Sequence, residues 1–71
     1  MILTIEFEKE TDGRWIADVC ELPGVTVYGD THAQAMANAQ VLALEVLADQ
    51  IEHGERDPNT LLKIEFVERA A

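Results

Sequence analysis

From His32 to His53 nothing in the sequence interrupts a helical pattern, and this one stretch limits the possible folds more than any other feature. Thr31 just before it, with Gln34 three residues on, fits a capping box, in which the Thr hydroxyl meets an orphan amide and the Gln side chain reaches back. Gly54 supplies a stop in the left-handed conformation. At about 1.5 Å per residue such a helix is roughly 33 Å long, against roughly 23 Å for a seven-residue strand. In a chain of 71 residues, one helix of that length leaves room only for short strands around it.

Those strands are legible from alternation. Residues 2 to 8 place Leu3, Ile5 and Phe7 on one face and Thr4, Glu6 and Glu8 on the other, the period of a half-buried strand. Glu10-Thr11-Asp12-Gly13 reads as a hairpin turn, with Gly13 free to take positive φ. From Arg14 to Cys20, Trp15, Ala17 and Val19 alternate with Ile16, Asp18 and Cys20. Pairing Phe7 with Trp15, Ile5 with Ala17 and Leu3 with Val19 gathers all six on one face. Leu22-Pro23-Gly24 breaks the run, because proline cannot donate to a ladder and glycine permits the turn that follows. Val25 to Gly29 is a short third strand with Val27 inward and Tyr28 outward. After the helix, Glu55 to Thr60 is a polar loop containing Pro58, and Leu61 to Glu68 is a fourth strand with Leu62, Ile64 and Phe66 inward.

The expected class is therefore α+β, one domain over residues 1–71 in the order βββαβ. Tight turns make the first three strands an antiparallel meander, and the helix carries the chain back so that the fourth runs parallel to the first. The open slot lies beside the first strand, within reach of a right-handed crossover. The predicted sheet is four-stranded and mixed, in the order 3-2-1-4, with one long helix on one face. Both edges and the other face are left without cover.

Charge and cysteine content narrow the function classes. Five Lys and Arg against 14 Asp and Glu give a net charge of −9, alongside 48% hydrophobic residues. Disordered chains with such charge are poor in apolar residues, so this composition argues for a folded protein. An acidic chain without a basic stripe repels phosphate backbones, so direct nucleic-acid binding by this chain alone is not expected. A partner with a basic face would be attracted instead. Cys20 is the single cysteine, and with only His32 and His53 there is no disulfide framework and no structural-zinc spacing; neither a cofactor nor a metal is expected. No apolar run approaches a membrane span and no secretory leader order is visible at the N-terminus, so the expected location is cytoplasmic.

The helix carries two apolar stripes. Gln34, Asn38, Glu45, Asp49 and Glu52 fall within about 60° of arc at 100° per residue. Beside that polar wedge, Ala35, Met36, Ala39, Leu42, Ala43, Val46 and Leu47 suffice to cover the sheet. A second stripe consists of Ala33, Ala37, Val41, Leu44, Ala48 and Ile51. One sheet needs one stripe, so Ala37, Val41, Leu44 and Ala48 are candidates for an oligomer interface, or are simply exposed alanine-rich helix surface.

The order of elements also meets a recognisable pattern. The run Phe7 to Ala17, then Glu21-Leu22-Pro23-Gly24, then Gly29-Asp30-Thr31 followed by Ala35 and Met36, resembles the HicB-like antitoxin family over nearly the whole chain. The resemblance implies a partial RNase H-like fold and a role as the antitoxin of a type II toxin-antitoxin system. It implies binding to a small basic HicA-type toxin, an mRNA endonuclease whose active site the antitoxin blocks. The chemistry in that family belongs to the toxin, so no catalytic residue carries over. Leu22, Pro23, Gly24, Gly29, Asp30 and Thr31 match as structural positions. Family members commonly add a C-terminal DNA-binding domain, and with only three residues after Glu68 the likeness is to the N-terminal domain alone. Their helices also tend to be charged where this one has Ala37, Val41, Leu44 and Ala48.

Candidate contacts for such a partner are the acidic and aromatic groups of the uncovered sheet face, Glu6, Glu8, Asp18, Tyr28 and Glu65. Two other readings stand beside it: a stand-alone oligomer without a toxin, and a residual metal-dependent nuclease. The nuclease would need clustered carboxylates, and pairing of the first and fourth strands is expected to make Glu6 and Glu65 neighbours on the open face. Glu45 lies on the far side of the helix and cannot join them. Cys20 is expected to be a small, half-buried apolar residue, Trp15 a core residue, and His53 a partner for the C-terminal helix dipole.

Overall fold

The computed structural model describes residues 1–71. It contains β1 (Ile2–Lys9), β2 (Trp15–Val19), β3 (Thr26–Gly29), α1 (His32–Glu52), a 3-10 turn at Pro58–Leu61 and β4 (Glu65–Ala70). The sheet order is β3-β2-β1-β4, with β1 parallel to β4 and the other pairs antiparallel. This is the expected mixed sheet with one long helix on one face.

The core forms where strand alternation meets one helix stripe. Leu3, Ile5, Phe7, Ala17 and Val19 from the sheet pack with Ala35, Ala39, Ala43 and Leu47 from α1, and Leu22 and Val25 complete the buried set. The Leu22-Pro23-Gly24 break is thus more than a turn. Its hydrogen bonds, Leu22 N–H to Val19 C=O at 3.1 Å and Val25 N–H to Leu22 C=O at 3.1 Å, fold two apolar side chains beneath the helix. The helix faces mainly β3 and β2. Leu61, Ile64 and Phe66, half-buried, close the core on the other side.

Three expectations are corrected. In the first hairpin Phe7 faces Ala17, Ile5 faces Val19 and Lys9 faces Trp15, two residues away from the expected register. Gly13 at φ 92° donates to the Glu10 carbonyl at 3.0 Å, and Glu10 donates to the Arg14 carbonyl at 2.7 Å. This closes a loop over Thr11, Asp12 and Gly13, tighter and one step further along than alternation alone suggests. An offset of two leaves every side chain on its predicted face, since the pleat repeats every second residue.

The fourth strand starts at Glu65, not Leu61. Asp57 accepts from the Asn59 N–H at 2.9 Å and Pro58 occupies the first turn, so this segment coils as a 3-10 turn and Leu62 is 79% exposed, not inward. The capping box is half formed. Thr31 Oγ1 accepts from the Gln34 N–H at 3.0 Å, but the Gln34 amide turns onward to Asn38 Oδ1 at 2.9 Å. Asn38 Nδ2 in turn donates to the Tyr28 carbonyl at 2.8 Å, tying the helix to β3.

Helix and sheet backbones come close together at Gly29. A Cβ on Gly29 would stand 2.7 Å from Ala35 Cα and closer still to the Ala35 nitrogen, and main-chain atoms cannot rotate away. Gly29→Ala is therefore expected to cost about 3 kcal/mol or more. Urea unfolding followed by circular dichroism checks this, with Leu62→Ala, at an exposed site, changing stability by less than about 0.5 kcal/mol.

Candidate functional site

The face of the sheet opposite α1 has no covering element, and the strand registers place its side chains in rows. Tyr28 lies beside Ile16, which lies beside Glu8. The next row runs Thr26, Asp18, Glu6, Arg69, and beyond it Thr4 faces Val67 and Ile2 faces Glu65. All five residues expected to meet a partner, Glu6, Glu8, Asp18, Tyr28 and Glu65, project from this one face. Glu6 and Asp18 are direct cross-strand neighbours at its centre.

Glu6 and Glu65 are not neighbours, which corrects the geometry a nuclease reading requires. Glu65 faces Ile2 and Glu6 faces Arg69, so the two carboxylates stand four strand positions apart, about 13 Å. The atoms that do converge belong to Glu6, Asp18 and Cys20, within 4.8 Å of one another. Arg69 already supplies positive charge there. Its Nη2 is 2.8 Å from Glu6 Oε2 and 3.6 Å from Cys20 Sγ, and the Thr26 hydroxyl donates to Asp18 Oδ1 at 2.7 Å.

These contacts set the local acidity. The hydrogen bond from Arg69, with that of the Cys20 thiol and the charge of Arg69, holds the Glu6 carboxyl below the usual carboxylate range. Partial burial and the Glu6 carboxylate push the Cys20 thiol up. Cys20 follows the end of β2 at Val19 and is exposed as a residue, while its thiol lies in the partly buried cluster with Glu6 and Asp18. Burial raises Glu21, but bonds from the Thr4 N–H at 2.6 Å and Thr4 hydroxyl at 2.7 Å outweigh it, and the net effect is a lowered pKa. Across the face the Arg14 guanidinium lies 4.8 Å over the Tyr28 ring, a cation–π contact, and bonds Asp12 at 2.9 Å.

Sequence reasoning did not find Arg69, Arg14 or Glu21. Arg69 was legible by extending the alternation of Val67 and Glu68 one step past the expected end of the strand. Arg14 and Glu21 sit at strand ends, where alternation carries no information about what they reach.

On the opposite side, Ala37, Val41, Leu44 and Ala48 are exposed, with Val41 at 56% and Leu44 at 45%. Nothing in the chain packs on them. His32 and His53 lie at opposite ends of α1. His53 Nδ1 is 2.8 Å from the Asp49 carbonyl, consistent with the dipole role. His32 Nε2 meets Glu68 Oε1 at 2.6 Å, and its ring stacks 4.1 Å from Phe7 and edge-on to Trp15 at 5.2 Å, pinning the helix start to the sheet. No helix is long and apolar enough to cross a membrane. Comparison with protein-family models, with curated proteins and with solved structures gives no match.

The lowered pKa values of Glu6 and Glu21 give stability a definite dependence on pH. A carboxyl whose folded pKa lies below its unfolded one adds stability above the unfolded value and loses it as pH falls through the folded value. Urea midpoints should therefore fall as pH is lowered through the usual carboxylate range and on below it, and Glu21→Gln should be less stable at neutral pH with a shallower acid limb. At neutral pH the Cys20 thiol should alkylate more slowly with iodoacetamide than a free thiol. Glu6→Gln should accelerate it, since the variant removes a negative neighbour.

Proposed function

We propose that this chain is a HicB-like antitoxin module, which binds a small basic HicA-type toxin through its open sheet face and covers the toxin's RNA-binding and catalytic surface. One observation carries the reading: Glu6, Glu8, Asp18 and Glu65 share a single uncovered face with the half-exposed Tyr28. On a chain of net charge −9 such a face steers a cationic partner toward itself and fixes its orientation.

The face is graded in charge. Arg69 pairs with Glu6 and Arg14 covers Tyr28, whereas Glu8 and Glu65 have no ion-pair partner within the chain. The unpaired carboxylates are the ones free to receive Lys or Arg from a partner at little cost. Tyr28 offers an amphipathic ring of the kind enriched at the centres of interfaces. Inhibition in this account is steric and electrostatic. The chain performs no bond-making step of its own, and its expected compartment is the cytoplasm, where such a toxin would act.

The alternative of a stand-alone oligomer built on Ala37, Val41, Leu44 and Ala48 is favoured by their exposure. Charge opposes it, because α1 carries Glu45, Asp49 and Glu52 and neither Lys nor Arg, so two copies packed along this stripe would bring acidic flanks together.

The test is co-expression with the product of the adjacent reading frame, if that encodes a short basic protein, followed by titration at several salt concentrations. A complex that weakens with salt, and weakens at least about tenfold in Glu8→Lys with Glu65→Lys, is expected. No complex, or an affinity unchanged in the double variant, refutes the reading.

A further inference from the structure

The two edges of the sheet are built differently. β3 has only four residues, Thr26–Gly29, and one of its outward carbonyls, that of Tyr28, is taken by Asn38 Nδ2 at 2.8 Å. Short length and a side-chain plug are both ways of blunting an edge. β4 has six residues, Glu65–Ala70, and no proline. Glu65 donates to the Met1 carbonyl at 2.9 Å and Ala71 to the Phe7 carbonyl at 3.1 Å. Odd-numbered residues of β4 thus aim their main chain at β1, and Phe66, Glu68 and Ala70 aim theirs outward. α1 faces mainly β3 and β2 and touches β4 through the side chains of its first residue, His32, and Glu68 at 2.6 Å, a contact that leaves the outward main-chain groups of this edge free.

We propose that β4 pairs antiparallel with β4 of a second copy of this chain, with Val67 facing Val67 across the two-fold axis, to make one continuous eight-stranded sheet. The side chains select this partner and this register. An antiparallel strand must match outward-aimed residues with outward-aimed residues, so only even shifts are allowed. With Val67 on the axis, Glu65 of each copy faces Arg69 of the other, twice, on the open face. Phe66 faces Glu68, and the two Phe66 rings come within diagonal reach across the axis on the inner face. The next shift toward the C-terminus pairs Glu68 with Glu68 and leaves Glu65 beyond the paired segment. The next one toward the N-terminus pairs only the first half of β4 and sets Glu65 against Val67. Opposite charges placed symmetrically about one residue make a strand complementary to itself, which is the requirement of a two-fold interface.

Arg69 is suited to the shared position. It holds Glu6 on the β1 side while its side chain remains 59% exposed, so it can lie between Glu6 of its own chain and Glu65 of the second copy. The half-buried Val67 and Phe66 would gain cover. Both open faces would point the same way, giving two adjacent acidic surfaces. This inference rests on the edge strands and not on the antitoxin reading; the two share Glu65, which Arg69 of the second copy would engage in the dimer, leaving Glu8 as a carboxylate without an ion pair on each open face.

Sedimentation of the native chain over micromolar to millimolar concentrations is expected to show a dimer, and Glu65→Arg should weaken it at least tenfold. In a non-hydrogen-bonded antiparallel pair the Cα atoms are about 4.5 Å apart, within the roughly 4.4–6.8 Å that a disulfide spans. Val67→Cys in a Cys20→Ser background should therefore oxidise to a covalent dimer, while Val41→Cys in the same background should not. A native chain that stays monomeric throughout overturns the proposal. So does a dimer that cross-links through Val41→Cys and not through Val67→Cys.

Discussion

The seating of α1 on β3 and β2 governs the rest of the molecule. Ala35, Ala39 and Ala43 are fully buried on the sheet-facing side of the helix, and Gly29 leaves no space between strand and helix for even a methyl group. Small residues at four-residue spacing put one line of the helix against the strands, so the larger Leu47 and the flanking Met36, Leu42 and Val46 can close over the core. Contact this close also fixes the helix rotation. Once Ala35, Ala39 and Ala43 face the sheet, Ala37, Val41, Leu44 and Ala48 must face solvent, whatever their hydrophobicity.

The same seat determines which sheet surfaces stay available. One helix placed over β3 and β2 leaves the entire opposite face bare, and leaves the β4 edge unshielded. The bare face collects the outward residues of four strands, and those are acidic in β1 and β2. Arg69 brings cationic charge to its centre, where it offsets Glu6 and leaves Glu8 and Glu65 as unpaired carboxylates. The functional reading depends on this division: a face with net negative charge, locally organised by one internal ion pair, is suited to a cationic protein surface and poorly suited to a phosphate backbone.

Much of this was legible in the sequence because alternation and helical period are local signals. Leu3, Ile5 and Phe7, the helix from His32, and Gly54 at φ 69° needed no long-range information. The order 3-2-1-4 followed from loop lengths and crossover handedness. What local signals miss is the closing geometry of turns and the reach of long side chains. The hairpin register turned on hydrogen bonds between Glu10, Gly13 and Arg14, and the start of β4 turned on the cap that Asp57 gives to the 3-10 turn. For the site, alternation placed Glu6, Glu8, Asp18, Tyr28 and Glu65 on one face. It could not say that Arg69 lies beside Glu6 in place of Glu65, because that depends on how β4 slides along β1.

The central claim is that the open sheet face, and not the exposed helix stripe, is where this chain meets a basic protein. The most direct measurement is two-dimensional NMR of the isotopically labelled chain during titration with the basic product of the adjacent reading frame. The account predicts that amide shifts change in β1, β2 and β4 around Glu8, Asp18 and Glu65 and stay fixed at Ala37, Val41, Leu44 and Ala48. Shifts confined to that helix stripe, with the sheet face unmoved, would contradict it.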